Sequence, residues 1–221
     1  MVEEKRRIHD KDIREPLFDF LEETYGKIRI LEEKMMGRSR ADVVMVTEGA
    51  IVGIEIKSDA DTYARLARQV EDYDKYYDMN IVVVGTTHAL HIREHVPDHW
   101  GVITAEYEGD ALDFYVLREP SANSEVTFRK KLEFLWRPEL VKIQQKFEMP
   151  AYKTSSRSFV VDKIATRVES GIIPEDALQS EICELLFERD YNTKFEEINK
   201  FRAENGLHKR RRRKVNKKRS K

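Results

Sequence analysis

The chain has one cysteine, Cys183, and no run of about 18 apolar residues among its 221. A single thiol excludes an internal disulfide. The missing apolar run excludes a membrane-crossing helix. The first residues, MVEEKRRIHDKDIREP, lack the apolar segment and cleavage signal of a secretory leader. The expectation is a protein of the reducing cytoplasm with no membrane partner. Cys183 sits in ICELLF, on the apolar side of a helical pattern, and reads as a buried thiol rather than a nucleophile. Acidic residues are missing from one place only. The last 13 residues, from Lys209, hold ten Lys or Arg, including Arg210, Arg211, Arg212 and Arg213, and no Asp or Glu. Without them 30 basic residues face 41 acidic ones, so residues 1–208 carry about −11. A basic tail on an acidic body fits contact with a polyanion, with nucleic acid ahead of a merely solubilising role.

What is present is charge, at 37%, over a modest apolar fraction of 40%. That suits long solvated helices around one core of ordinary size. DIREPLFDFLEETY, from Asp12, predicts a helix with Asp12 as cap, Pro16 in the first turn and Gly26 as its end. KIRILE predicts a short strand and MMGRSR a loop. ADVVMVTEGAIVGIEIKS predicts a hairpin turning at Glu48-Gly49. Thr62 to Met79 is helical in pattern, with Leu66, Val70, Tyr73 and Tyr77 on one face and Asn80 closing it. IVVVG is a fully buried type of strand. A short helix over Thr86–His95 and two strands, GVITAEY and DFYVLRE, complete this half. After Pro120 only helices are expected: Phe128–Phe147 broken near Pro138, Ser158–Glu169 and Pro174–Arg189. The class is α/β, a mixed sheet in αβββαβ order followed by a helical region.

The hairpin carries the chemistry. A two-residue turn at Glu48-Gly49 pairs Val46 with Ile51 and, followed outward, sets Asp42 opposite Glu55. Lys57 lies two residues beyond Glu55, on the same side of the strand. Two facing carboxylates repel unless a positive charge lies between them. Two readings stand at this point. One is a surface salt bridge of Glu55 or Asp42 with Lys57 or Arg40. The other is a site for a hard divalent cation, Mg²⁺ or Mn²⁺, with the Ile56 carbonyl as a further ligand and Lys57 steering a water.

Asp42, an apolar hairpin and then Glu55-Ile56-Lys57 resemble the motif of the PD-(D/E)xK nuclease superfamily, with Ala41 in place of its proline. Gln69-x-x-x-Tyr73 is similar to a motif of its RecB-like and Holliday-junction-resolvase-like branches. DIREPLFDFL, RADVVMV, GIEIKSDADTYARLARQVEDYDKYYD, WGVITAE and LWRPELVKI extend the likeness to a bacterial and phage family over roughly residues 9–190. The resemblance implies a restriction-endonuclease-like fold and metal-dependent cleavage of DNA. Asp42 and Glu55 would hold the metal. Lys57 would assist the water, and Gln69 would position the lysine or the phosphate. The resemblance places a nuclease-like domain over 1–119. The loss of strands after Pro120 sets off a helical region over 120–206, and the lack of apolar residues beyond Gly206 predicts a disordered basic tail over 207–221. A homodimer or protein-partner surface in the helical region is a further expectation. Phage or mobile-element DNA processing, repair and defence all fit.

Other signals stay open. An acid from the first helix is often added to such a metal site, and Asp12 is the favoured candidate, with helix capping its competing role. Arg40, Ser58, Arg65, Arg68 and Tyr73 are candidate nucleic-acid contacts beside the site; ordinary surface charge is the alternative for the arginines and core packing for Tyr73. His88, His91, His95 and His99 lack a completed zinc pattern. The alternative function is a nucleic-acid-binding or assembly protein that kept a nuclease fold without its activity.

Overall fold

Elements start and stop where the apolar period switches between about 3.6 and two. The computed structural model describes residues 6–189, 200, 201, 203 and 204. In chain order they form α1 (Asp10–Tyr25), β1 (Arg29–Met36), β2 (Ser39–Val46), β3 (Ile51–Lys57), α2 (Leu66–Tyr76) and β4 (Met79–Gly85). Then come β5 (Gly101–Glu108), β6 (Ala111–Arg118), α3 (Phe128–Lys131), α4 (Arg137–Lys146), α5 (Arg157–Glu169) and α6 (Glu175–Phe187). The strands make a six-stranded sheet in the order β1-β2-β3-β4-β5-β6. β3 and β4 are parallel, as are β4 and β5; the other neighbours are antiparallel. The αβββαβ order and the mixed α/β class are therefore as the sequence predicts.

The hairpin register holds: Val46 pairs with Ile51, Met45 with Val52, Val44 with Gly53 and Val43 with Ile54. Thr47 fixes the turn, its N–H and hydroxyl both meeting the Ala50 carbonyl. Every residue of β3 is buried, because both faces of the sheet are covered. Ile54 and Ile56 face the cluster built with Ile13, Leu17 and Leu21 of α1. Ile51 faces the cluster built with Leu66, Tyr73 and Tyr77. Gly53 is required by this second packing. A Cβ there would lie 2.2 Å from the Tyr77 ring and 2.7 Å from that of Tyr73.

Several boundaries differ from expectation. α1 begins at Asp10, so Pro16 lies inside the helix rather than in its first turn. MMGRSR is not a loop but a tight reversal at Gly37-Arg38, with Met36 paired to Ser39. Thr62–Met79 is a 3₁₀ turn over Tyr63–Arg65 followed by the shorter α2, and Asn80 belongs to β4. The Asn80 amide nitrogen donates to Asp74 at 2.7 Å, which partners half of this polar side chain in a buried strand; its Oδ1 is buried without a hydrogen bond among the described residues. Thr86–His95 is a series of turns around a 3₁₀ turn at Ile92–Glu94.

The helical region does not build a core of its own. Leu132, Phe134, Leu140, Ile143, Ile164 and Leu178 belong to the same apolar cluster as Val44, Tyr73, Val82 and Trp100. Asp78 ties the two together. It accepts from Ile51 N–H (2.8 Å), from buried Lys131 of α3 (2.9 Å) and from Gln179 of α6 (2.9 Å). The segment beyond residue 204, with Lys209, Arg210, Arg211, Arg212 and Arg213, lies outside the described residues. No described helix is long and apolar enough to cross a membrane.

Candidate active site

Alternation along β3 places Gly53, Glu55 and Lys57 on the α2 side of the sheet. With no side chain at Gly53, the Tyr73 ring packs directly against the strand there, and its hydroxyl donates to Glu55 Oε2 at 2.7 Å. Gln69, one turn earlier on α2, donates through Nε2 to Glu55 Oε1 at 2.5 Å. The Lys57 ammonium donates to the same Oε1 at 2.5 Å and to Gln69 Oε1 at 3.1 Å. Glu55, Lys57 and Gln69 thus form a closed triangle, with Tyr73 as its buried prop. Burial first, then the negative charge of Glu55, pushes the Tyr73 phenol well above its ordinary pKa, so it remains a neutral donor.

Asp42 lies one step beyond the last paired residues of β2 and β3. The strands separate there, and the Asp42 carboxylate fills the gap by accepting the Ile56 N–H at 3.0 Å. Arg14 of α1 stands 3.6 Å from its other oxygen. The Asp42 carboxyl is pushed up to about 6, by burial first and then by Glu55; the Ile56 N–H, Arg14 and Lys57 only partly offset this. Arg14 is itself held by Asp10 at 2.8 Å and approaches Glu32 at 3.6 Å, and these contacts, led by the Asp10 hydrogen bond, raise its pKa.

These groups share a cleft of about 530 Å³. Asp42, Glu55, Ile56, Lys57 and Gln69 line its floor, and Arg40, Arg65 and Arg68 are exposed along it. Arg40 also pairs with Glu33 at 3.1 Å. Of the sequence-predicted residues, Asp42, Glu55, Ile56, Lys57, Gln69, Arg40, Arg65 and Arg68 are brought to one cleft.

Three predicted residues are placed elsewhere. Asp12 does not line the cleft; its carboxylate accepts the His9 N–H and caps α1. Tyr73 is fully buried, so its hydroxyl serves Glu55 and cannot stack on a base. Ser58 is buried too, its N–H and hydroxyl both donating to Asp61 at 2.8 and 2.6 Å. The cleft also contains Asp10, Arg14, Arg38 and Asp61. Arg14 and Asp61 lie in the DIREPLFDFL and GIEIKSDADTYARLARQ stretches that carry the family likeness, whereas the sequence did not single out Asp10 or Arg38. The i,i+4 spacing of Asp10 and Arg14 is the legible signal for the first two.

The histidines do not converge. The rings of His88 and His95 flank Tyr63, His99 meets Asp74 at 3.0 Å, and His91 approaches Glu94. Among the described residues there is no group of three or more His, Cys, Asp or Glu arranged to hold a metal ion. The acidic donors at the cleft floor are therefore a pair, Asp42 and Glu55, beside the Ile56 backbone. A hard cation that keeps several waters needs no more than one or two carboxylates. Burial first, and the Glu55 carboxylate second, raise the Asp42 carboxyl, and the paired carboxylates with the Ile56 backbone are a donor set that fits such an ion.

Residues 3–205 match the family described as Bacteriophage P4 protein cII, and the chain belongs to that family. No curated protein and no solved structure matches it.

Proposed function

We propose that this member of the bacteriophage P4 cII family is a metal-dependent nuclease of the PD-(D/E)xK kind that hydrolyses phosphodiester bonds in DNA. The observation that carries the reading is the meeting of Asp42, Glu55, Lys57 and Gln69, from two strands and a helix, on the floor of one arginine-lined cleft. Asp42, Glu55 and the Ile56 carbonyl would hold Mg²⁺ or Mn²⁺, which when bound supplies a polarised water and draws charge from the phosphoryl oxygens. Lys57 carries a nearly buried ammonium whose position is fixed by Glu55 and Gln69. From there it can donate to the attacking water or to a phosphate oxygen as charge develops. Gln69 bridges Lys57 and Glu55 and holds both in register. Arg40, Arg65 and Arg68 supply cations for the flanking phosphates, and the tail from Lys209 supplies affinity that ignores sequence. Phage or mobile-element DNA processing, repair and defence are all compatible with this reading. A cytoplasmic setting is compatible with it, and the single cysteine supports that setting.

A second reading has its own observation. Both oxygens of Glu55 already have partners within the chain, Lys57, Gln69 and Tyr73, so the triangle is complete as it stands. A nucleic-acid-binding or assembly protein would need nothing further from it. Incubating the full-length chain with plasmid, linear and branched DNA in Mg²⁺ or Mn²⁺ separates the two. Cleavage that stops with EDTA supports the nuclease. Binding of these DNAs with no cleavage of any of them supports the second reading.

A further inference from the structure

β1 and β2 do not run as a regular hairpin to their tip. On β1, Leu31 is buried, Glu32 and Glu33 are both exposed, and Met36 is buried again. The alternation changes phase at Glu33, whose φ of 50° is in the left-handed region. The change turns the tip over. Met36 and Ser39, paired across the turn, now face inward, and the Ser39 hydroxyl donates to Asp72 of α2 at 2.6 Å. Gly37 lies against the same Asp72, where an added Cβ would be at 3.3 Å. The tip is therefore pinned to α2.

The outward side of the pinned tip shows Met35 opposite Arg40. Met35 is 64% exposed, and it lines the same cleft as Asp42, Glu55 and Lys57, with Arg38 and Arg40 beside it. An exposed apolar side chain needs no explanation when it stands alone on a surface. Here it stands on a fixed turn, at the rim of a cleft whose other exposed residues include Arg38, Arg40, Arg65 and Arg68. Arginines there match a phosphate backbone, and an unbranched apolar side chain at the same rim matches the gap between two bases.

We propose that Met35 is a stacking wedge. Resting on the nuclease reading for its ligand, the inference is that Met35 enters a base step while Arg38 and Arg40 hold the adjoining phosphates. The favoured substrate is then a duplex whose stack is already interrupted, as at a nick, because less unstacking is left for the protein to do. Met35 would act on substrate choice and not on the hydrolytic step.

The test is a binding measurement made in EDTA, apart from cleavage. The full-length chain and its Met35→Ala variant are titrated against continuous and nicked duplexes of one sequence, followed by anisotropy. A second continuous duplex carries 2-aminopurine as a stacking reporter. The wild-type chain should bind the nicked duplex at least about tenfold more tightly and raise the reporter's fluorescence. Met35→Ala should lose most of both effects and keep its affinity for the continuous duplex within about threefold. Because Met35 is exposed, the variant should melt with the wild type. Equal preference for the nick in both proteins, no reporter signal from the wild type, or no DNA binding would overturn the wedge. A chain that cleaves DNA but fails this test loses only the wedge. A chain that passes it without cleaving loses only the nuclease.

Discussion

Asp42 concentrates the site's electrostatics in one side chain. Its carboxyl, pushed up to about 6 from an ordinary 3.8, keeps its proton in the folded chain after the unfolded chain has released it. Stability therefore falls as pH rises from about 4 through about 6, and the loss is complete above that. Asp42→Asn removes the charge, so in EDTA at pH 8 it should be more stable than wild type by about 1–3 kcal/mol. At pH 4 the advantage should vanish. Urea midpoints at the two pH values check this, and equal differences at both would contradict it. Cys183 gives a second residue-scale prediction. Burial, with Asp78 nearby, pushes its thiol up to about 12, so the thiolate is scarce in the folded chain. An aromatic disulfide reagent should react with it in denaturant and not in the native state; equal rates would show an accessible thiol. Asp42, Glu55 and Lys57 were legible because the hairpin register and the strand period fix which side chains share a face; Gln69 was legible only through the likeness of its motif. Ser58 and Asp12 were not, since short polar side chains also bond to nearby groups in turns and caps, which spacing alone cannot rank. Tyr73 was legible in the motif, but its role depends on burial.

Two elements, β3 and the β1–β2 hairpin, set the shape of the cleft. Gly53 is the point where α2 touches β3, and Gly53→Ala should cost about 2–3 kcal/mol by forcing the Tyr73 and Tyr77 rings away. It should also weaken the Tyr73 hydrogen bond to Glu55. Calorimetry measures the loss, and an unaltered melting temperature would mean the rings can yield. At Glu33 the comparison is between two substitutions that both remove the ion pair to Arg40. Glycine accepts a φ of 50° and alanine resists it, so Glu33→Gly should be more stable than Glu33→Ala by about 1 kcal/mol. The reverse order would argue against the phase change. The Glu48-Gly49 register was readable because one turn signal lay between two apolar runs. The tip at Gly37-Arg38 was not. Two methionines and three polar residues show no alternation, and a phase change at a glutamate has no signature in sequence.

In the whole molecule, the break after residue 119 is a change of element type and not of core. Sheet residues and residues of α4, α5 and α6 share one apolar cluster. A fragment of residues 1–119 would expose that face and should lack a cooperative melt; a sharp transition in the isolated fragment would contradict the shared core. The change from strands to helices was visible in the apolar period, but period says nothing of what a helix packs against. The charge asymmetry acts at the same scale. Ending the chain before Lys209 should weaken DNA binding and flatten its salt dependence, while the cleft stays intact. An unchanged salt slope would remove the tail from the account. The central claim is that the Lys57 ammonium acts in metal-dependent hydrolysis. Its most direct test is the single-turnover rate of DNA cleavage by wild type and Lys57→Ala, in saturating Mg²⁺ and in EDTA. The account predicts cleavage by wild type in Mg²⁺ only, and a fall of about 100-fold or more in the variant with DNA affinity retained. No cleavage by wild type, or equal rates for the two proteins, would contradict it.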